Sequence, residues 1–312
     1  MVKRKYAALL LLSFATLFCS SFRLPEAARL QKQPLKRIVI DAGHGGADFG
    51  ASGAYSNEKD ITLSIALKLE AMLHQEMPDV DIVMTRRTDV FDPVTRKADI
   101  ANQAKGDLFV CIHVNEGGGP MVHKEFSGYS EETYYTGKGK KKKKHTRKVK
   151  EYRTWTTPNP AKGTETFIYG VDKSDAAKEA LSANEDMYLD SVSAKQLKDF
   201  NPTDPAKMMI INMKTQSYFA RSANLAMTIE EEFKNVGRIS REAKQRQKGI
   251  WVLQAVAMPA VLVETGFISN PEEEAYLNSE AGQNEICEVL VRSLKRYRYS
   301  LEKQVGGQTA SN

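Results

Sequence analysis

The chain of 312 residues is 41% hydrophobic and 27% charged, and it carries a formal net charge of +6 and three cysteines. These proportions are typical of a globular protein and exclude intrinsically disordered, fibrous and disulfide-scaffold classes. The length suffices for one large domain or two small ones.

The N-terminus has the layout of a secretory signal. Basic residues 3–5 precede an apolar run over residues 6–18, and small and polar residues follow. Because the run is short for a membrane-spanning helix, we predict a signal peptide over about residues 1–25 and an exported protein, in the periplasm or cell envelope. A retained membrane anchor is the alternative. Cys19 also leaves a lipoprotein open, although the bulky Phe18 before it disfavours that processing.

Strand and helix patterns alternate from residue 36 onward. "RIVID" predicts a buried strand, and apolar residues at helical spacing from Ile61 to Leu73 predict a helix after it. "DIVMT" predicts a second strand, and "PVTRKADIANQA" predicts a helix with Pro93 in its first turn. The third strand, "DLFVCIHV", is apolar enough to be covered on both faces.

Further segments continue this order. We predict strands at "TETFIYG", "GIWVLQ" and "PAVLVE", helices between them and a last helix near residues 280–299. The alternation predicts a single α/β domain over residues 36–302, with a twisted, largely parallel central sheet flanked by helices on both faces. Residues 303–312 form a polar tail. Cys111 and Cys287 are expected to be buried free thiols.

An insertion at about residues 117–162 interrupts the pattern. It is rich in Gly, Lys and Tyr without clear periodicity, so we expect a long mobile loop. Ten Lys or Arg and one Glu fall in "KGKKKKKHTRKVKEYR", which accounts for the basic balance of the whole chain. Lys138 to Lys150 could contact an anionic surface, and an inert solvated loop is the alternative. Nucleic acid is not expected as a partner of an exported protein.

Polar residues follow three predicted strands. His44 comes after the first, His113 closes the third and Glu264 closes "AVLVE", while Glu58 stands at the start of the first helix. The crevice of an open α/β sheet lies at such strand ends. Taken singly, each histidine could be an ordinary turn or hydrogen-bonded residue, and Glu58 could merely favour a helix N-terminus. A purely structural role explains Glu264 less well, because a lone carboxylate after apolar residues needs a partner.

Taken together, the two imidazoles and two carboxylates suit a catalytic zinc site. Such sites use three protein ligands and leave one position for water, and the fourth side chain can serve as a base. Asp41 is a candidate acceptor for the second ring N–H of His44. The remaining histidines are not expected to be ligands: His74, His123 and His145.

Six segments in this order carry a family resemblance: "IVIDAGHGGADFGASG", "NEKDITLSIALKL", "MTRRTDVFDPVTRKADIAN", "FVCIHVN", "GTETFIYG" and "MPAVLVETGFISNPEEE". The chain resembles the zinc-dependent N-acetylmuramoyl-L-alanine amidases of the bacterial cell-division type, over about residues 36–299 apart from the insertion. The resemblance implies a single α/β domain with a largely parallel sheet. It also implies one Zn2+ per chain held by His44, Glu58 and His113, with Glu264 as the catalytic residue.

The family's substrate is peptidoglycan, cut between N-acetylmuramic acid and the L-alanine of the stem peptide. Cell-division members carry a helix that covers the active site until an activator protein displaces it. Within residues 171–213, "EALSANEDMYLDSV" could play that part, with Glu185 or Asp186 near the zinc, and a wall of the substrate groove is the alternative. Two other functions stay open: another zinc amidohydrolase or carboxypeptidase acting on cell-wall peptides, and a non-catalytic peptidoglycan-binding protein.

Overall fold

The computed structural model describes residues 35–170, 174–184, 205–246 and 250–309. Eight strands are present in these ranges: β1 (Arg37–Ala42), β2 (Asp81–Met84), β3 (Leu108–Asn115), β4 (Met121–Thr136), β5 (Lys143–Thr157), β6 (Thr164–Tyr169), β7 (Ser240–Arg246) and β8 (Ala260–Phe267). Six of them form one sheet in the order β2-β1-β3-β8-β6-β7. Every neighbouring pair in that sheet is parallel except β6 with β8, so the predicted largely parallel sheet is confirmed.

The described helices are α1 (Glu58–Glu76), α2 (Val94–Gln103), α3 (Ser174–Ala183), α4 (Pro205–Asn235), α5 (Trp251–Ala255), α6 (Pro271–Asn278) and α7 (Glu280–Thr309). They cover both faces of the sheet. Successive residues of a strand point to opposite faces, so each face has its own hydrophobic core. Ile38 and Ile40 join a core with α1, α4 and α7, whereas Val39 joins a second core with α2, α3 and α5. The predicted single α/β domain with helices on both faces is therefore confirmed.

Three details differ from the sequence prediction. "GIWVLQ" is not a strand, because Trp251–Ala255 forms the short helix α5. The edge strand Ser240–Arg246 was not predicted, since its mostly exposed polar residues give no apolar pattern. Pro93 lies at the N-cap of α2, one residue before the helix, where its missing N–H costs no helical hydrogen bond.

The insertion is not an irregular loop. Met121–Thr136 and Lys143–Thr157 pair antiparallel as one long β-hairpin, with a bulge between Phe126 and Gly128 and a 3-10 turn at Gly139–Lys141. At about 3.3 Å per residue, the sixteen residues of β4 span about 50 Å. The lysine run therefore lies at the tip and along the second strand of a projecting arm.

Several sequence predictions concern residues outside the described ranges. The predicted signal peptide, with Cys19, precedes residue 35, and Glu185 and Asp186 fall in the gap between residues 184 and 205. Among the residues described, every helix is too short or too polar to cross a bilayer.

Candidate metal centre and active site

His44 and Glu58 come together because the loop after β1 folds back onto the first turn of α1. Nε2 of His44 lies 3.1 Å from Oε2 of Glu58, the first residue of that helix. His44 has a backbone φ of +58°, in the left-handed region that is costly for a residue with a side chain. The sharp turn this allows directs the imidazole toward Glu58.

His113 completes the cluster from the end of the neighbouring strand β3. Its Nδ1 lies 2.8 Å from Oε1 of Glu58, so the carboxylate stands between the two imidazoles. The rings of His113 and His44 meet edge to face, with centroids 4.9 Å apart. Backbone N–H groups of Ala51 and Val114 also donate to Glu58, at 2.8 and 2.9 Å, and fix its orientation.

Two glycines leave room for these side chains. A Cβ on Gly43 would lie 2.7 Å from Nε2 of His113, and a Cβ on Gly50 would lie 2.6 Å from Oε2 of Glu58. Gly50 also has φ +66°, which a side chain would strain. The glycines around His44 therefore serve to let the histidine and glutamate side chains pack against the backbone.

The partner of the outer nitrogen of His44 is Asp48 and not Asp41. Nδ1 of His44 donates to Oδ2 of Asp48 at 2.8 Å, so Nε2 is the ring nitrogen that faces Glu58. Asp41 is buried in a separate contact set, where it binds the Lys97 ammonium at 2.9 Å and accepts from the Cys111 thiol at 2.9 Å. Asp41, the candidate named from the sequence, is therefore not the acceptor for His44. The Asp41 side chain points toward Lys97 on α2, whereas Asp48 belongs to the same tight loop as His44.

Arg86 stabilises the loop that carries His44, a role that no sequence pattern indicates. This buried guanidinium donates to the carbonyl oxygens of Ala42 at 3.0 Å, Gly43 at 2.8 Å and Lys59 at 2.8 Å. Gly43 precedes His44, and Lys59 follows Glu58. One side chain thus ties together the backbones that carry two members of the cluster.

The cluster is strongly coupled electrostatically. Burial disfavours the charged form of His44, but the carboxylates of Glu58 and Asp48 outweigh burial and raise the pKa of His44 to about 9. Burial acts against the charge of Glu58 as well, yet the contacts with His113 and His44 hold the pKa of Glu58 well below its usual range. Glu58 is therefore an anion held between two imidazoles.

Glu264 lies beside this cluster on β8. Its Cα pairs with that of His113 across the two parallel strands, and Thr265 Oγ1 donates to the His113 carbonyl oxygen at 3.0 Å. Burial, the largest effect, raises the pKa of Glu264 to about 7. Oε1 of Glu264 lies 3.9 Å from Nη1 of Arg246, whereas Oε2 is buried without a hydrogen-bond partner among the described residues. An unpartnered buried carboxylate oxygen is costly, and active sites are where such costs are found.

The donor set fits a zinc ion. One ligand atom from each of His44, Glu58 and His113 falls within a span of 4.8 Å, and two imidazoles with one carboxylate is a ligand set of catalytic zinc sites. A second grouping of similar spacing joins Asp41, Cys111 and His113. It fits poorly, because Asp41 already binds Lys97 and burial raises the pKa of the Cys111 thiol, which stays protonated.

The other three histidines lie outside both groupings found in the described part of the chain. His74 is exposed on α1 near Glu70, His123 stacks on Trp155 and His145 stacks on Tyr134, the last two within the hairpin. The four residues singled out from the sequence are thus brought to one edge of the sheet, while these three are not.

Known proteins resemble the chain over most of its length. The sequence profile of the N-acetylmuramoyl-L-alanine amidase family matches residues 38–296. The amidase AmiC of Escherichia coli O6:H1 is 29% identical over 263 residues, which are 83% of this chain and 52% of the relative. The amidase AmiA of Escherichia coli K12 is 26% identical over 278 residues, which are 88% of this chain and 81% of the relative. The chain therefore spans about half the length of AmiC and most of AmiA.

A solved structure shares the fold. The N-acetylmuramoyl-L-alanine amidase from Clostridium difficile 630 superposes with a TM-score of 0.52 at 22% identity, covering 85% of this chain and 97% of that one. The superposition supports the single α/β architecture described above.

Proposed function

The chain belongs to the N-acetylmuramoyl-L-alanine amidase family, and we propose that it is a zinc-dependent hydrolase of peptidoglycan. The bond cleaved is the amide between N-acetylmuramic acid and the L-alanine of the stem peptide. The observation that carries the proposal is the unpartnered Oε2 of Glu264 on the strand next to the His44, Glu58 and His113 cluster.

His44, Glu58 and His113 would hold one zinc ion per chain. When bound, zinc acts as a Lewis acid on the amide carbonyl and lowers the pKa of a water molecule to about 7. Other groups of the protein fix the orientation of these three ligands. Asp48 orients the His44 ring, backbone N–H groups orient Glu58, and Arg86 holds the loop and the helix together.

Glu264 acts as the general base and then as the general acid. Its carboxylate removes a proton from the attacking water as the water oxygen bonds to the carbonyl carbon. The same proton then passes to the leaving nitrogen as the carbon–nitrogen bond breaks, releasing the free amine of L-alanine and the lactyl carboxylate of the sugar. A base with a pKa near the working pH serves both transfers well.

Digestion of purified sacculi with and without a chelator tests this proposal. Mass spectrometry should find intact stem peptides and glycan chains free of peptide, and chelation should abolish both products. Single amino acids released from the peptide ends would instead indicate a carboxypeptidase. Binding to sacculi without any cleavage would indicate a peptidoglycan-binding protein without catalysis.

Two further elements of the proposal rest on the sequence. Residues 1–25 have the features of an export signal, which supports a location in the periplasm or cell envelope beside the proposed substrate. The segment "EALSANEDMYLDSV" is the candidate occluding element that an activator protein would displace, and most of it lies outside the described ranges. Removal of residues 185–204 should raise the basal activity if the segment occludes the site.

A further inference from the structure

The hairpin of β4 and β5 has little support from the rest of the described chain. The two strands pack extensively against each other and only marginally against other described elements. An isolated two-stranded hairpin is marginally stable in water. Unpaired strand edges and exposed aromatic rings are features of surfaces that bind another molecule. The hairpin therefore exposes a surface that suits the binding of another molecule.

The strand register sorts charge onto one face of the hairpin. Phe126 pairs with Tyr152, so the even-numbered residues of β5 and their partners share the face of these two rings. That face, here termed the cationic face, has a single acid, Glu131. It has four lysines: Lys124, Lys144, Lys148 and Lys150.

The opposite face is electrically balanced. Arg147 forms an ion pair with Glu132 at 2.7 Å, and Arg153 stands directly across from Glu125. By contrast, Lys144 and Lys150 stand across from Tyr135 and Tyr129, and among the four lysines of the cationic face Lys148 alone stands across from an acid, Glu131. The excess positive charge of the two strands therefore lies on the cationic face. The amino-acid sequence alone does not show this, because it does not give the strand register.

Aromatic rings lie among the lysines of the cationic face. Phe126 meets Tyr152 and Tyr129 edge to face, with centroids 6.0 and 5.2 Å apart, and Nζ of Lys124 lies 4.3 Å from the Tyr152 ring centre. Tyr129 is 62% exposed. Such rings offer an apolar surface with a polar edge, and the lysines between them offer a mobile positive charge.

The base of the hairpin is attached beside the candidate active site. Asn159, just after β5, donates through its side chain to the Gly117 carbonyl oxygen, just before β4. Gly117 N–H donates to Ser269 Oγ at 2.9 Å, and Asn270 donates to the Asn159 carbonyl oxygen at 3.1 Å. Ser269 and Asn270 follow β8, the strand of Glu264. A ligand at the base of the hairpin is thus held close to the candidate active site.

We propose that the cationic face is a binding arm for peptidoglycan, with aromatic rings against the sugars and lysines on the carboxylates of the stem peptides. This inference rests on the proposed function, because it names the same polymer as substrate. A second copy of the chain is a poor occupant: each hairpin carries eleven Lys or Arg against four Glu, and two such surfaces repel. A polymer with repeated carboxylates and sugar rings complements both features of the face.

Co-sedimentation of the zinc-loaded enzyme with purified sacculi at 0.15 M salt tests the arm. The variant Lys144→Gln/Lys148→Gln/Lys150→Gln removes three charges from the cationic face. The variant Lys138→Gln/Lys140→Gln/Lys141→Gln removes three charges from the tip. Tyr129→Ser on the cationic face is matched by Tyr134→Ser on the opposite face.

We expect the first triple variant to bind sacculi about tenfold more weakly, since three surface ion pairs of ordinary strength sum to that factor. The tip variant should lose less than about threefold, as its charges lie in the turn beyond the paired strands and outside the cationic face. Tyr129→Ser should weaken binding more than Tyr134→Ser. Hydrolysis of a soluble muropeptide should be unchanged in all four variants, because none alters the cluster at His44.

Equal losses for the two triple variants would overturn the proposal, because net charge alone would then explain binding. It would also be overturned if the cationic-face variant lost binding to phosphatidylglycerol vesicles and not to sacculi. Failure of the proposed function is distinguishable: the wild type would then leave soluble muropeptides uncleaved while the binding differences among variants persisted.

Discussion

Arg86 donates to the carbonyl oxygen of Gly43 at 2.8 Å, and the same nitrogen, Nη2, donates to Lys59 at 2.8 Å. These carbonyls flank His44 and Glu58. A buried guanidinium is well suited to this bridge because it is planar, always charged and able to serve several acceptors at once. The Arg86 side chain therefore stabilises the left-handed turn at His44.

Arg86→Lys should weaken zinc binding without unfolding the protein. The ammonium group of lysine cannot reproduce the forked contacts, so the loop and α1 lose their common anchor. We expect the zinc affinity to fall about tenfold, as measured by competition with a chromophoric chelator. Arg87→Lys is the matched control, since the neighbouring arginine is exposed and pairs with Glu70, twelve residues along α1 from Glu58. Equal affinities in both variants would refute the bracing role.

His113→Ala should lose both metal and activity. The imidazole supplies one of three donor groups, and the two left cannot complete a catalytic zinc site. Metal analysis should find close to one zinc per chain in the wild type and a large loss in the variant. His74→Ala, on the surface of α1, should keep the full zinc content. Full zinc in His113→Ala would mean that other residues hold the ion.

Glu264→Gln should separate catalysis from metal binding. Glutamine keeps the size of the side chain but cannot accept the proton, and general-base help typically contributes about 10²–10⁴-fold in rate. The variant should keep its zinc and lose at least about a hundredfold in the hydrolysis of a soluble muropeptide. Loss of the zinc together with activity would make Glu264 a ligand, and normal turnover would place the base elsewhere.

The metal-free protein should lose stability as pH rises because of Glu264. In the unfolded chain this carboxyl titrates near 4.5, and burial in the folded chain raises its pKa to about 7. The folded state therefore favours the protonated form, so the stabilisation is complete below pH 4.5 and is lost progressively toward pH 7. Relative to Glu264→Gln, the free energy of unfolding should fall by about 3 kcal/mol across this interval.

Urea unfolding of both proteins in chelator, at pH 4.5 and pH 7, measures this difference. Contributions from titrating groups remote from residue 264 cancel in the comparison. If the two proteins lost stability in parallel, Glu264 would already be ionised in the folded protein at pH 5.

The clustering of the candidate site residues was largely predictable from the sequence because strand ends in a parallel sheet converge. His44, His113 and Glu264 each follow an apolar run, and such runs identify buried strands without any knowledge of pairing. The bracing role of Arg86 was not predictable. In "MTRRTD" the two arginines are equivalent as letters, and only the twist of the chain after β2 buries one and exposes the other.

The fold was predictable where apolar runs were long and unpredictable where they were short or absent. The apolar run in "GIWVLQ" is only four residues long, and a run of that length cannot distinguish a strand from a short helix. "SREAKQR" is an edge strand with no apolar alternation. The hairpin did carry a signal, since Tyr- and Val-containing segments flank the turn at "TGKG", but the lysine run obscured it.

The arm between β3 and β6 also has a practical consequence for handling the protein. Its exposed lysines and arginines are potential trypsin cleavage sites. The rest of the described chain covers little of this hairpin. Cleavage there would leave two fragments, yet β3 and β6 both pair with β8, so the fragments should remain associated in one sheet. Brief proteolysis would thus yield a nicked enzyme that migrates as two bands on a denaturing gel and as one particle in size-exclusion chromatography.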